Sequence, residues 1–500
     1  RAISHSVQLV TRFDDEIAAG APSTEAAARA SMLGLFRPGM LGVVADAGCM
    51  IVVALTPIPL LEKVAIIGAM WVFTIAVSAV VLTPVLLSWM KRPHTRAHAL
   101  DMRPMLERFL RGCAAFVTSR ARYALLAAAA VIFAGSGIYA FKLKVGDANP
   151  GSPILWPDSV YNRDAAAINR QFQGSDRMFV AVAGTKIDAL KAPAVLESMR
   201  QFQKFMEAQP EVGGSLSIAD ILPTVKRTLR EGNPRYEEFG NNANENGELL
   251  YLYVSGTEPG DIDRFADARA RNGSVTVFFR DHQGETIRTA ISRVREFAEK
   301  QPVAEAEYRL AGGLIGVLAA ANEVILAGQI ESIALAMLVL MICCAVTYRS
   351  VVAGMFFLVP VMLSNTITFS YMAWKGIGMN INTLPIAALG IGLGVDYAFY
   401  IVDGIREELR KHGDLARSIA KSLESAGRGV VITAATLTLS VVLWWWSSLR
   451  FQAEMGLLMA LWLFVSAASA LFLMPAMVFV FQPRFIIGKR VDPVSVAVTA

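Results

Sequence analysis

Residues 390–403 read GIGLGVDYAFYIVD and place a carboxylate, Asp396, in an otherwise apolar run. A charge at the centre of a membrane-spanning helix costs at least about 2.5 kcal/mol on insertion scales. Asp396 must therefore face a protein interior or water, and it is a candidate for loading and releasing a proton. Tyr397 beside it supplies a hydroxyl donor, and Asp403 adds a second acid at the end of the run. Gly390, Gly392 and Gly394 leave part of one face without side chains, which permits close helix packing or slight unwinding beside the carboxylate. The competing reading is an Asp paired for packing alone.

The segment that should face this helix comes from an internal repeat, the sequence signature of many transporters. An ungapped offset sets Glu16 on Glu407, Ser31 on Ser422, Arg37 on Arg428 and Pro84 on Pro475. The same offset sets His5 on Asp396 and Arg12 on Asp403, so a base stands opposite an acid twice. The expectation is that His5 pairs with Asp396 and Arg12 with Asp403. A histidine titrates near neutral pH and suits proton exchange; the plainer alternative is a His5 hydrogen bond to a neighbouring carbonyl. Asp46 is a further intramembrane acid, read as a relay member or as a partner of Arg37 or a hydroxyl. Thr433, Thr436 and Ser440 recur at helical spacing and are expected to hydrate the relay, or to back-bond to their own helix.

These residues need long apolar elements to hold them. The chain has 500 residues, 54% hydrophobic and 18% charged, and a mean hydropathy of +0.45. That composition excludes an ordinary water-soluble enzyme. Apolar runs long enough to cross a bilayer predict eight complete spans, at about residues 38–61, 64–90, 123–141, 332–348, 350–374, 376–403, 429–449 and 455–482. Residues 1–11 read as the end of another, so the chain reads as part of a longer one, with about 270 residues of a matching first half before it if the halves are equal. Arginines and lysines crowd residues 91–122, which places that linker in the cytoplasm, along with the 404–428 loop and the tail 483–500. The domain between spans, residues 142–329, then lies outside, with Trp374 and Trp444, Trp445 and Trp446 at the outer interface. The organisation is thus 1–90 as the end of a first repeat, 123–141 as the first span of a second, and 330–482 as its other five.

The inserted domain reads as a mixed α/β, split βαβ unit. Strands are predicted at 178–183, 249–254 and 274–279, and helices at 192–208 and 286–301. Residues 231–247 read as a mobile Asn-rich connector, residues 149–157 as a Pro- and Gly-rich lead-in loop, and Phe172 and Phe179 as core in preference to a lipid groove. Residues 406–417 read as one amphipathic cytoplasmic helix. The four cysteines, Cys49, Cys113, Cys343 and Cys344, all fall outside this domain and offer it no disulfide framework. No Walker A motif, metal-ligand spacing or basic patch interleaved with aromatics is present, so ATP driving, a metal centre, a dinucleotide cofactor and nucleic-acid binding are not expected.

In combination, the duplicated spans, the outer α/β domain after the first span of the second half, and the GxxxDY pattern of residues 392–397 resemble the resistance-nodulation-cell division superfamily, specifically its branch of mycobacterial membrane proteins large (MMPL). The resemblance covers essentially all the chain. It implies a polytopic α-helical membrane protein of two pseudo-twofold six-helix bundles in a bacterial inner membrane, and a transporter, not an enzyme. It further implies that a proton relay through Asp396 and Tyr397, with protons as coupling ion and no cofactor, drives hydrophobic molecules outward. In the first half the expected Asp-Tyr is His5-Ser6, a departure from symmetric acidic relays. The lead-in loop with Ser152, Pro153, Leu155, Trp156 and Pro157 looks like that of relatives associated with hopanoids, sterols or other lipids. Besides a lipid substrate and the bilayer, a periplasmic lipid carrier and a homo-oligomer are open partners. A sterol-sensing regulatory protein and a protein-translocation auxiliary of the same superfamily are the rival readings.

Overall fold

The structure is a computed structural model and describes residues 2–56, 58–91, 103–380 and 383–488. Arg92, Arg96 and the tail beyond Gly488 lie outside the described residues. The chain folds as two compact units, one of residues up to Leu143 and from Ile325 onward, the other Lys144–Val324. The first is a polytopic helical membrane protein, and seven of its described helices are long and apolar enough to cross a membrane.

Helices α1 (Ala2–Ala18) and α2 (Thr24–Val53) meet at a turn where Ser23 caps α2 by accepting from the Ala26 N–H. Helix α3 (Pro59–Ile75) runs through a π-helical stretch, Ala76–Leu82, into Thr83–Trp89. Then come α4 (Arg103–Thr118) and α5 (Ala121–Ala140). After the second unit the bundle resumes with α11 (Gly313–Tyr348), α12 (Val351–Lys375), α13 (Leu384–His412), α14 (Leu415–Val442), α15 (Arg450–Ala468) and a short α16 (Arg484–Ile487). Helix α15 also passes through a π stretch, Ser469–Leu473, into Met474–Phe481.

The two π stretches occupy corresponding places in the repeat. Two residues beyond each stands a proline, Pro84 or Pro475, with no N–H for the helical ladder, and the residue before it reaches five positions back, Thr83 to the Ser78 carbonyl and Met474 to the Ser469 carbonyl. Ser78 and Ser469 share the repeat offset, so the duplication is expressed in the backbone as well as the sequence.

Helices run beyond the apolar stretches that marked them. Polar caps, and not hydropathy, set their ends: α2 starts at Ser23, and α14 starts where Asp414 accepts from the Arg417 N–H. Left-handed Gly413 ends α13 directly before it, so residues 406–417 are two helices and not one. The span expected at 376–403 is instead the helix Leu384–His412, preceded by an αL turn at Gly376. Trp374 and Trp446 are exposed. Cys113, Cys343 and Cys344 are free thiols.

The second unit holds α6 (Val160–Gln171), β1 (Asp176–Gly184), α7 (Pro193–Glu207), β2 (Val212–Leu216), α8 (Ile218–Leu229), α9 (Ala243–Gly256), β3 (Asn272–Phe279), α10 (Gly284–Lys300) and β4 (Ala306–Gly312). The sheet is antiparallel in the order β2-β3-β1-β4, the split βαβ arrangement. Alternation along β1 buries Met178, Val180 and Val182. Phe202 of α7 packs 5.2 Å from Phe297 of α10, and Tyr308 of β4 lies 5.1 Å from Phe202. Burial pushes the Tyr308 hydroxyl up to about 12, though Ser198 hydrogen-bonds it at 2.9 Å.

Three expectations fail here. Residues 249–254 are helical, because Asn242 caps α9 on the Glu245 N–H and fixes helical geometry before the apolar run, which is too short to declare its own period. The Asn-rich segment is anchored, since fully buried Asn246 accepts from the Gly240 N–H and donates to the Lys191 carbonyl. Phe172 and Phe179 are exposed at 67% and 37%, on the side of the pleat opposite Met178 and Val180 in the case of Phe179.

At the edge of β1, His282 Nδ1 lies 2.8 Å from Asp176 Oδ2. Burial opposes the imidazolium, but the Asp176 hydrogen bond and charge, the Asp147 charge and the Gly151 backbone outweigh it, so the His282 pKa is raised above 6.5. Its contribution to stability is complete below the unfolded value and is lost as pH rises through the folded one. Calorimetry of the intact protein should show the transition of residues 144–324 moving down in temperature as pH goes from about 6 to about 8. His282→Gln should flatten that dependence, and an unchanged slope would refute the assignment.

Candidate functional site

Helix α13 is the axis of the site. It packs against α2, α14 and α15, and α1 lies against both α2 and α14. Asp396, Tyr397 and Tyr400 are 1%, 1% and 3% exposed, and His5 of α1 is 2% exposed. His5 Nε2 lies 3.7 Å from Asp396 Oδ2, and its Nδ1 lies 2.6 Å from the Tyr400 hydroxyl. The result is a buried Asp396–His5–Tyr400 chain that crosses from one repeat to the other.

Tyr400 was missed in the sequence, although it stands one helical turn after Asp396 and so shares its face. Tyr397, the expected neighbour, is buried beside them.

Small residues let the backbones close around this chain. A Cβ built on Gly42 of α2 would lie 2.2 Å from Asp396 Oδ1, so the carboxylate rests against bare α2 backbone. Asp46, one turn further along α2, is 6% exposed. Arg37, one of its proposed partners, donates to the Thr347 carbonyl at 2.6 Å. A Cβ on Gly390 would meet the Trp462 ring at 2.7 Å and one on Gly394 the Ser466 hydroxyl at 2.2 Å. These two glycines therefore serve close packing on α15, and α13 stays helical through them. Gly392 is buried.

Two expectations are corrected. Arg12 does not pair with Asp403: it donates to Glu407 at 2.8 Å and to Glu16 at 2.9 Å. Asp403 lies one turn of α13 short of Glu407, and the charges around it are those of Arg37, Arg406 and Arg410. For Thr433, Thr436 and Ser440 the back-bonding alternative is the one observed. Their hydroxyls donate back to the carbonyls of Gly429, Ile432 and Thr436 at 2.7, 2.8 and 2.7 Å, and Thr436 and Ser440 are exposed. Helix carbonyls satisfy such hydroxyls locally, without a tertiary partner.

A cavity of about 30 Å³ reaches Tyr400 from the charged end of the bundle, between Gln8, Arg12, Asp403 and Glu407. It is large enough for a water or two. The arrangement can therefore hold a proton on a buried carboxylate, offer it a basic imidazole, and connect that imidazole through a phenol to a polar cavity.

The closeness of α2 can be tested directly. Gly42→Ala should displace Asp396 and destabilise the protein by about 1–3 kcal/mol, the usual cost of overpacking. Gly39→Ala, whose Cβ meets the Tyr400 hydroxyl at an ordinary 3.6 Å, should be close to neutral. Thermal unfolding in detergent reads both, and equal effects would contradict the geometry.

Comparison with known proteins gives the chain its relatives. It is 30% identical over 141 residues to the membrane protein ActII-3 of Streptomyces coelicolor, a match covering 27% of this chain and 20% of that protein. It is 23% identical over 280 residues to the membrane protein MJ1562 of Methanocaldococcus jannaschii, covering 52% and 72% respectively. It is also 23% identical over 213 residues to "Probable transport protein MmpL8" of Mycobacterium bovis, covering 41% of this chain and 19% of that one. The match thus spans about a fifth of ActII-3 and of MmpL8. The MMPL family model matches residues 162–494, from the split βαβ unit through the helix that carries Asp396, and the chain belongs to the MMPL family.

Proposed function

We propose that this chain is part of a proton-driven transporter that moves a hydrophobic, lipid-like substrate outward from a bacterial inner membrane. The observation that carries the reading is the buried Asp396–His5–Tyr400 chain, which joins helices of the two repeats. Family membership and the similarity to a protein named for transport support the transporter class.

Protonation acts on packing through charge. With Asp396 ionised, an imidazolium at His5 is attracted across 3.7 Å, and in a low-dielectric interior that attraction holds α1 against α13. A proton on Asp396 removes the attraction and leaves a neutral acid that can donate a hydrogen bond. Tyr400 fixes His5 Nδ1, so the ring presents Nε2 to the carboxylate. Helices that carry the two partners are thereby biased between a closed and a loosened arrangement, which is the bistable element that transport needs. The 30 Å³ cavity beside Tyr400 gives the proton a way out at the end assigned to the cytoplasm.

The substrate class rests on the lead-in loop resemblance and on the apolar, lipid-facing surroundings of the bundle. Hopanoids, sterols and other lipids are the candidates, and a periplasmic lipid carrier is a fitting recipient.

The test is gradient-driven movement of a fluorescent lipid in proteoliposomes containing the full-length protein. Asp396→Asn should reduce it to the leak of protein-free liposomes in protein that is still folded, as its size-exclusion profile and circular dichroism report. Tyr400→Phe, which removes one buried hydrogen bond of about 1 kcal/mol, should slow it several-fold. Normal gradient-driven transport by Asp396→Asn would overturn the relay.

A further inference from the structure

Three basic pieces of chain converge at the end of the bundle that its positive charge assigns to the cytoplasm. They are the turn between α11 and α12, the last turns of α13, and α16. Arg349, Arg406, Arg410 and Arg484 line one cavity of about 560 Å³, with no acidic side chain among its described lining residues. Tyr348, Leu409, Phe485 and Ile486 supply its apolar wall, and Phe485 and Ile486 are buried.

The repeat shows why these cations are left over. Arg37 and Arg428 are equivalent positions, and so are Asp15 and Arg406. On one side of the pseudo-twofold Arg428 closes an ion pair with Asp15. On the other, Arg37 meets Arg406, and the two guanidinium groups flank the same Tyr348 ring at 4.6 and 6.0 Å. Asp403 attracts Arg37, Arg406 and Arg410 together, one carboxylate among three cations, and it does not line the cavity. Among the described residues Arg406 Nη1 is buried with no hydrogen-bond partner. An anion in the cavity would complete on this side what Asp15 completes on the other.

The surroundings select the anion. From Arg349 and Ser350 the helices carry exposed apolar side chains, Val346 at 72%, Val351 at 63%, Val352 at 56% and Met355 at 58%. These suit acyl chains, while guanidinium forks suit phosphate oxygens. Basic pockets between helices on this side of a membrane bind anionic headgroups for the same reason. We propose that the cavity binds the phosphate of an anionic phospholipid, with Arg349, Arg406, Arg410 and Arg484 on the headgroup and Val351, Val352 and Met355 along the acyl chains. This is independent of the relay through Asp396.

The experiment titrates delipidated full-length protein in detergent with phosphatidylglycerol, phosphatidylcholine or inorganic phosphate, and reads bound lipid by native mass spectrometry and the melting temperature. Phosphatidylglycerol should bind in preference to phosphatidylcholine. The pair Arg410→Ala/Arg484→Ala, both exposed side chains, should weaken it about 30-fold, at about fivefold for each arginine. Arg410→Lys/Arg484→Lys keeps the charge and should bind more tightly than the alanine pair, which separates lost attraction from lost folding. Arg111→Ala, an exposed arginine outside the cavity, should change nothing. Unaltered phosphatidylglycerol binding by the alanine pair overturns the proposal. So do lysine and alanine pairs that bind equally weakly, or inorganic phosphate that binds as tightly as the lipid, which would make this a small-anion site.

Discussion

A carboxylate that leaves water must be solvated by protein, and that requirement organises the membrane unit. Asp396 is 1% exposed and meets the requirement with His5 from another helix, while bare α2 backbone at Gly42 lets the helices come close enough to seal it. Desolvation also sharpens the electrostatics of the pair, because charges interact more strongly in a low-dielectric interior than in water. The glycines of α13 serve the same end. They admit Trp462 and Ser466 of α15 against its backbone, which keeps α13 central and its acid away from lipid.

Duplication supplies the framework, and departures from it supply the chemistry. A π stretch followed by a proline recurs at equivalent places in the two halves. The polar positions do not repeat. His5 stands where the second half has Asp396, and Asp15 stands where it has Arg406. In the first case asymmetry turns two repelling acids into an acid–base pair. In the second it closes an ion pair on one side and leaves an arginine cluster on the other.

The second unit answers to different physics. It is an antiparallel sheet with packed helices, where alternation along β1 and the Phe202, Phe297 and Tyr308 cluster make the core. Its polar interior is fully hydrogen-bonded where Asn246 ties α9 to the loop at Lys191, as a buried amide must be. The raised pKa of His282 belongs to this unit.

The sequence by itself determined the polytopic helical class, the inserted split βαβ unit, the internal repeat and the acid at Asp396, because hydropathy, periodicity and an expensive intramembrane charge are local signals. It also identified His5 as the partner, since a repeat offset converts into a spatial relation when the halves pack about a twofold axis. Tertiary structure decided the rest. Tyr400 entered the chain because the far side of His5 needed a partner within 2.6 Å, a demand no linear spacing displays. Arg12 chose Glu407 over Asp403 through side-chain reach, and the hydroxyls of Thr433, Thr436 and Ser440 turned to their own helix because carbonyls lie nearer than any neighbour. Residues 249–254 became helical because a cap upstream overrode a strand-like composition. Pairing among several available partners depends on distances of a few tenths of an ångström, and those exist only once the helices have packed.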